Sequence, residues 1–125
     1  MQYTKLGNAD LTISRICMGC MGFGDAGKGQ HSWTINEEES RRIIRRGLEL
    51  GVNFFDTAIA YQSGTSEQYL GRALRDFAQR DQVVVATKFL PRTAEEIEQG
   101  ITAQEHIERM LNKSLQNLGM EYVDL

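Results

Sequence analysis

Polar and apolar residues follow two rhythms along this chain: short apolar runs of strand length, and longer stretches with apolar positions three and four apart. Tyr3 to Leu6 and Leu11 to Ile16, separated by Gly-Asn-Ala-Asp, predict a β-hairpin. The second run leads into Ile16-Cys17-Met18-Gly19, a candidate first core strand, and the glycine-rich stretch from Gly22 to Gly29 predicts a loop. Thr34-Ile-Asn-Glu37 has capping-box spacing and opens a helix. Glu37/Arg41 and Glu38/Arg42, one turn apart, would support its exposed face. Ile43, Ile44, Gly47 and Leu48 would form its buried face, and Gly51 is the expected stop.

The apolar run Val52 to Phe55 predicts a second strand, closed by Asp56 and followed by a small-residue loop carrying Tyr61. A second helix starts at Ser66 and Glu67, with Leu70, Leu74 and Phe77 as its inner stripe. Val83 to Thr87 is apolar on both faces, as a buried parallel strand should be. A short surface helical turn is expected around Glu95, Glu96 and Glu98. Thr102-Ala-Gln-Glu105 is another capping box, and Ile107, Met110, Leu111, Ser114, Leu115 and Leu118 repeat at 3-4 spacing up to Gly119. Tyr122 to Leu125 begins a further strand. Such alternation predicts a parallel sheet with right-handed crossovers, whose chemistry gathers at the carboxyl ends of the strands.

Composition narrows the partners. At 125 residues, with 41% apolar and 25% charged residues, the chain suits one globular domain. A net charge of −3 argues against nucleic acid and anionic membranes, and no run is long enough to span a bilayer. Two cysteines without an export signal suggest a cytoplasmic location.

The strand ends carry Gly19-Cys20-Met21, Asp56 and Lys88. Adjacent strands run about 4.8 Å apart, so Asp56 and Lys88 are expected to pair at the sheet rim with Tyr61 folded back over them. An ammonium beside a phenol favours the phenolate, which makes the hydroxyl a better proton donor. The bland alternative is a rim salt bridge beside a tyrosine that only packs.

The opening hairpin, GVNFFDTAIAY, GTSEQYLGRAL, VVVATK and LNKSLQNLGMEYVDL together resemble the N-terminal part of the aldo-keto reductases, over essentially the whole chain. The resemblance implies the N-terminal half of a (β/α)8 barrel: hairpin, three βα units and the start of a fourth strand, with residues 1–125 as one partial domain. It also implies reduction of aldehyde or ketone substrates with NADP(H). Tyr61 matches the family's proton donor, Lys88 the cation that tunes it, and Asp56 the lysine's carboxylate. Gly19, Cys20 and Met21, with Asp56, match the cofactor-binding turn, although Cys20-Met21 replaces the commoner Gly-Thr-aromatic version. Trp33 lies on the family's substrate loop, where loop-to-helix packing is the alternative. Gln62 stands where many members have glycine, and a longer loop through Gly64 is expected to absorb the change.

The family's active-site histidine falls beyond Asp124-Leu125, and neither His31 nor His106 corresponds to it. The resemblance therefore implies an incomplete, inactive chain that self-associates or joins a complementing C-terminal half. A non-catalytic remnant and a regulatory cofactor-binding subunit are the alternatives. Three other signals lead elsewhere. Gly22 to Gly29 nearly matches a phosphate-binding loop but lacks Ser or Thr after Lys28, so a mobile loop over the rim is expected. Cys17-Met-Gly-Cys20 has redox spacing without the helix start that would stabilise a thiolate. Cys20 with His31 makes a weak metal pair, and no metal is expected.

Overall fold

The computed structural model describes residues 1–125. Strands β1 (Tyr3–Lys5) and β2 (Thr12–Ser14) form an antiparallel hairpin, with Thr4 opposite Ile13. Asn53 ties it to the main body, accepting a hydrogen bond from the Ser14 N–H through Oδ1 and donating from Nδ2 to the Thr12 carbonyl. The main body is a three-stranded parallel sheet in the order β3 (Met18–Gly19), β4 (Phe54–Asp56), β5 (Val84–Ala86). Gly19 sits opposite Asp56, which sits opposite Ala86. This register brings the three strand ends level at one rim.

Helix α1 (Glu37–Glu49) and helix α2 (Thr65–Phe77) connect the strands; a short α3 (Ala94–Glu98) and the longer α4 (Ala103–Leu118) follow β5. Ile44 from α1, Leu70 from α2 and Phe55 and Val85 from the sheet are fully buried. Burial of each such side chain contributes about 1.5–3 kcal/mol, so this core holds the strand ends in place. The Thr93/Glu96 and Thr102/Glu105 capping boxes start α3 and α4. No helix is long and apolar enough to cross a membrane.

Local expectations fail in instructive ways. Asn36, not Thr34, caps α1: its side chain accepts from the Glu39 N–H, while Thr34 lies two residues early in the approach to the helix. The expected pairs within α1 do not form: Arg42 takes Glu39 of the same helix at 2.7 Å, while Glu37 and Arg41 find partners on α2. Glu37 takes a two-pronged bond from Arg72 of α2 (2.6 and 2.8 Å), and Arg41 reaches Asp76 of α2 at 2.6 Å. Both bonds lock α1 against α2, which pairs inside one helix cannot do. Ile43, Ile107 and Leu111 are exposed rather than buried, because nothing in this chain packs over those faces. Tyr122–Leu125 runs beside β5 without forming a regular strand. The Val85 N–H donates to the Asp124 side chain (2.8 Å) instead of to a backbone carbonyl, which interrupts the ladder.

Candidate active site

The level rim of the sheet places Asp56 at the end of β4 and Lys88 just past β5. Their backbones stay paired beyond the strands: Thr57 N–H donates to the Ala86 carbonyl (2.9 Å) and Ile59 N–H to that of Lys88 (3.1 Å). The Lys88 Nζ then reaches both carboxylate oxygens of Asp56 at 2.9 and 2.8 Å and the Thr57 carbonyl at 2.8 Å. Its fourth neighbour is the Tyr61 hydroxyl at 3.4 Å, and the ammonium stands 5.1 Å from the Tyr61 ring centre.

Tyr61 reaches this position because the chain turns tightly after β4. A 3-10 turn (Tyr61–Gly64) leads directly into α2, with Gln62, Ser63 and Gly64 all at positive φ. The turn carries the phenol back over the sheet rim. Burial acts to lower the pKa of the Lys88 ammonium, but the hydrogen bonds to Asp56 and Tyr61 and their charges outweigh it and hold the pKa above the ordinary lysine value. The cation is therefore firmly kept beside the phenol.

A second layer supports the rim. Glu67, fully buried near the start of α2, accepts from the Thr87 hydroxyl at 2.7 Å and from Asn117 of α4 at 2.8 Å. Thr87 is the residue before Lys88, so Glu67 anchors the segment that aims the lysine. Ser66 Oγ donates to the Cys20 carbonyl (2.6 Å), joining α2 to the end of β3.

The profile described as "Aldo/keto reductase family" matches residues 15–125. The chain belongs to the aldo/keto reductase family. It is 38% identical over 89 residues to versiconal hemiacetal acetate reductase of Aspergillus parasiticus, a match covering 70% of this chain and 25% of that protein. Over 126 residues it is 32% identical to aldo-keto reductase YhdN of Bacillus subtilis (strain 168), covering 100% of this chain and 37% of that protein. The solved holo form of aldo-keto reductase AKR11C1 from Bacillus halodurans matches with a TM-score of 0.76 and 30% identity, covering 98% of this chain and 38% of that one. The chain thus spans 25–38% of these relatives' lengths.

As a member of the aldo/keto reductase family the chain presents its first strand end as an open shelf. A Cβ added at Gly19 would meet no atom within 4 Å, and Met21 is exposed. Gly19 sits opposite Asp56 in the β3–β4 register. Cys20, between Gly19 and Met21, is fully buried: its N–H is given to the Asp56 carbonyl (2.8 Å) and its own carbonyl accepts from Ser66, so its backbone groups are committed inside the fold. Burial also pushes its thiol pKa up, as it does for Cys17, which removes the thiolate that a redox pair needs.

Trp33 is exposed on the loop before α1, its ring 4.8 Å from that of His31 and its edge close to Gly22. His106 is buried between the Leu90 carbonyl (2.6 Å) and Glu96, so it serves packing of α4's first turn. Nothing in the sequence pointed to the Thr57 carbonyl as a partner of Lys88. Glu67 carried a signal, as an acidic residue on the buried side of a predicted helix start, and Gln62 stood out only as a departure from glycine.

Proposed function

We propose that this chain supplies the proton-donating part of an NADP-dependent oxidoreductase that reduces aldehyde or ketone carbonyls to alcohols. The observation that carries this reading is the Lys88 ammonium bonded at once to Asp56 and to the Tyr61 hydroxyl. The cofactor, when bound, supplies a hydride to the carbonyl carbon. Gly19, Met21 and Asp56 are the residues that would hold its nicotinamide end.

Tyr61 gives its hydroxyl proton to the carbonyl oxygen as negative charge develops there. Lys88 stabilises the phenolate left behind, and Asp56 with the Thr57 carbonyl keeps the ammonium from swinging away. A positioned acid of this kind contributes about 10²–10⁴-fold to rate. Trp33, on the neighbouring loop, is assigned to the wall that contacts the substrate's substituents.

The same reading makes the chain the N-terminal half of a (β/α)8 barrel. Large apolar side chains lie open along both flanks: Ile16, Ile43 and Leu50 on the β3 side, and Phe89, Ile107 and Leu111 on the β5 side. A C-terminal half of the same family is the partner that covers both. The isolated chain is expected to oxidise no NADPH with a panel of aldehydes, whereas a longer protein carrying these residues turns over. In that longer protein Tyr61→Phe and Lys88→Met should each lower kcat by about 10²-fold or more. Full activity in both variants would overturn the proton-donor assignment; turnover by the isolated chain would overturn the need for a second half.

A further inference from the structure

Gln62 follows the proposed proton donor directly and is almost completely buried, with its backbone in the left-handed region at φ 48°, ψ 47°. That conformation is unfavourable for a residue with a side chain, by about 1 kcal/mol or more. The side chain explains why it persists. Its Nε2 faces the carbonyls of Asp25 (2.8 Å), His31 (2.7 Å) and Lys28, and its Oε1 accepts from the His31 N–H at 2.9 Å. An amide has two N–H donors and one strong acceptor, so every polar group on this side chain is committed to the Gly22–Trp33 loop.

The loop is in turn shaped around Gln62. A Cβ at Gly24 would lie 2.7 Å from the Gln62 Cβ, and one at Gly29 would lie 2.6 Å from its Cα. Asp25 N–H donates to Thr65 Oγ1 (2.9 Å) at the start of α2, while Gly24 and Ile35 close the neck of the loop at 3.2 Å. Two of the glycines that resemble a phosphate-binding loop, Gly24 and Gly29, are thus space for a glutamine. The expected mobile loop is a filled lobe.

We infer that Gln62 is a positioning residue that couples this lobe to the Tyr61 turn, so that the lobe carrying Trp33 and the proton donor hold one mutual geometry. The inference deepens the reductase reading, because it names what sets the distance between the substrate wall and the acid. The lobe cannot shift without breaking the Gln62 bonds, and those bonds pull on the residue next to Tyr61.

The test uses the whole chain and needs no turnover, so failure of the reductase reading leaves it intact. Gln62→Glu keeps the size but turns an oxygen toward three carbonyls; Gln62→Gly removes the clamp and relieves the strained φ. Two readouts are compared with the parent: tryptic cleavage after Lys28, which sits in the lobe, and the ¹³Cζ resonance of labelled Tyr61, assigned with Tyr61→Phe. Loss of several buried hydrogen bonds should speed cleavage after Lys28 about tenfold or more while helical circular dichroism is retained. The Tyr61 resonance should shift or broaden in the same variants. If cleavage accelerates and the Tyr61 signal stays put, Gln62 only fills the loop and the coupling is wrong. If neither changes, the clamp itself is wrong. Should Gln62→Glu fail to fold, Gln62→Gly carries the same two expectations.

Discussion

Gly71→Ala is expected to reverse the usual sign of a helix substitution. Gly71 lies inside α2, where alanine ordinarily stabilises by about 1 kcal/mol. Here the added Cβ would stand 2.0 Å from the Leu118 carbonyl oxygen and 2.7 Å from the Leu118 Cα, at the end of α4. Both partners are main chain, so no side chain can rotate out of the way. Restoring the lower limit of ordinary contact, 3.4 Å, requires the helices to part by 1.4 Å (3.4 − 2.0). A gap of that size forfeits much of the dispersion energy between the facing core side chains. Overpacking costs about 1–3 kcal/mol; the upper end applies, and subtracting the propensity gain leaves about 2 kcal/mol. With about 2.1 cal/mol/K per residue of unfolding entropy over this chain, the midpoint should fall by about 8 °C.

Gly47→Ala is the matched control. It too sits inside a helix, but its nearest obstacle is the Met18 Cε at 2.3 Å, the free end of a flexible side chain. That obstacle can move, so the change should stay within about 1 kcal/mol of the parent. Thermal and urea unfolding followed by circular dichroism measures both. A Gly71→Ala chain that melts at or above the parent, or a Gly47→Ala chain that loses as much, would refute the argument that backbone approach decides the sign.

Two other perturbations probe the second layer and the helix pair. Glu67→Ala leaves the Thr87 hydroxyl and the Asn117 amide without their acceptor, and is expected to cost about 2 kcal/mol in a denaturant titration. Glu67→Gln should cost much less, since glutamine keeps one acceptor oxygen and either the Thr87 hydroxyl or the Asn117 amide can turn to accept from its N–H. The Arg72 guanidinium bonded to Glu37 holds that carboxyl below the usual glutamate range, though partial burial works against it. Below about pH 4.3 the unfolded chain therefore binds protons that the folded chain still excludes. Stability from this pair is present above that pH and is lost as pH falls through the lowered value. Glu37→Gln should flatten the acid limb of a stability–pH curve between those limits, and an unchanged slope would refute the assignment.

Much of the architecture was legible because it depends on neighbours close in sequence. The Thr102/Glu105 box, the stripe of Leu70 and Leu74, and the all-apolar Val83 to Val85 run each declare a local preference that the fold keeps. Asp56 and Lys88 could be matched from sequence, because a parallel register places successive strand ends side by side. Asn36 took the cap expected of Thr34 because the first turn of α1 begins two residues later, and the local signal supports either start.

Other features required the folded chain. Glu37 chose Arg72 over Arg41 once two helices lay in contact, and Cys20 went into the core because Ser66 and Asp56 claimed its backbone groups. Gln62 read as an awkward departure until residues 31 to 37 positions away closed around its amide. Apart from the last segment, Tyr122 to Leu125, the chain by itself determined where its helices and strands lie and which strand ends carry Asp56 and Lys88. Only tertiary packing decided which groups are buried and whom they bond, because desolvation and close approach are set by residues far apart along the backbone.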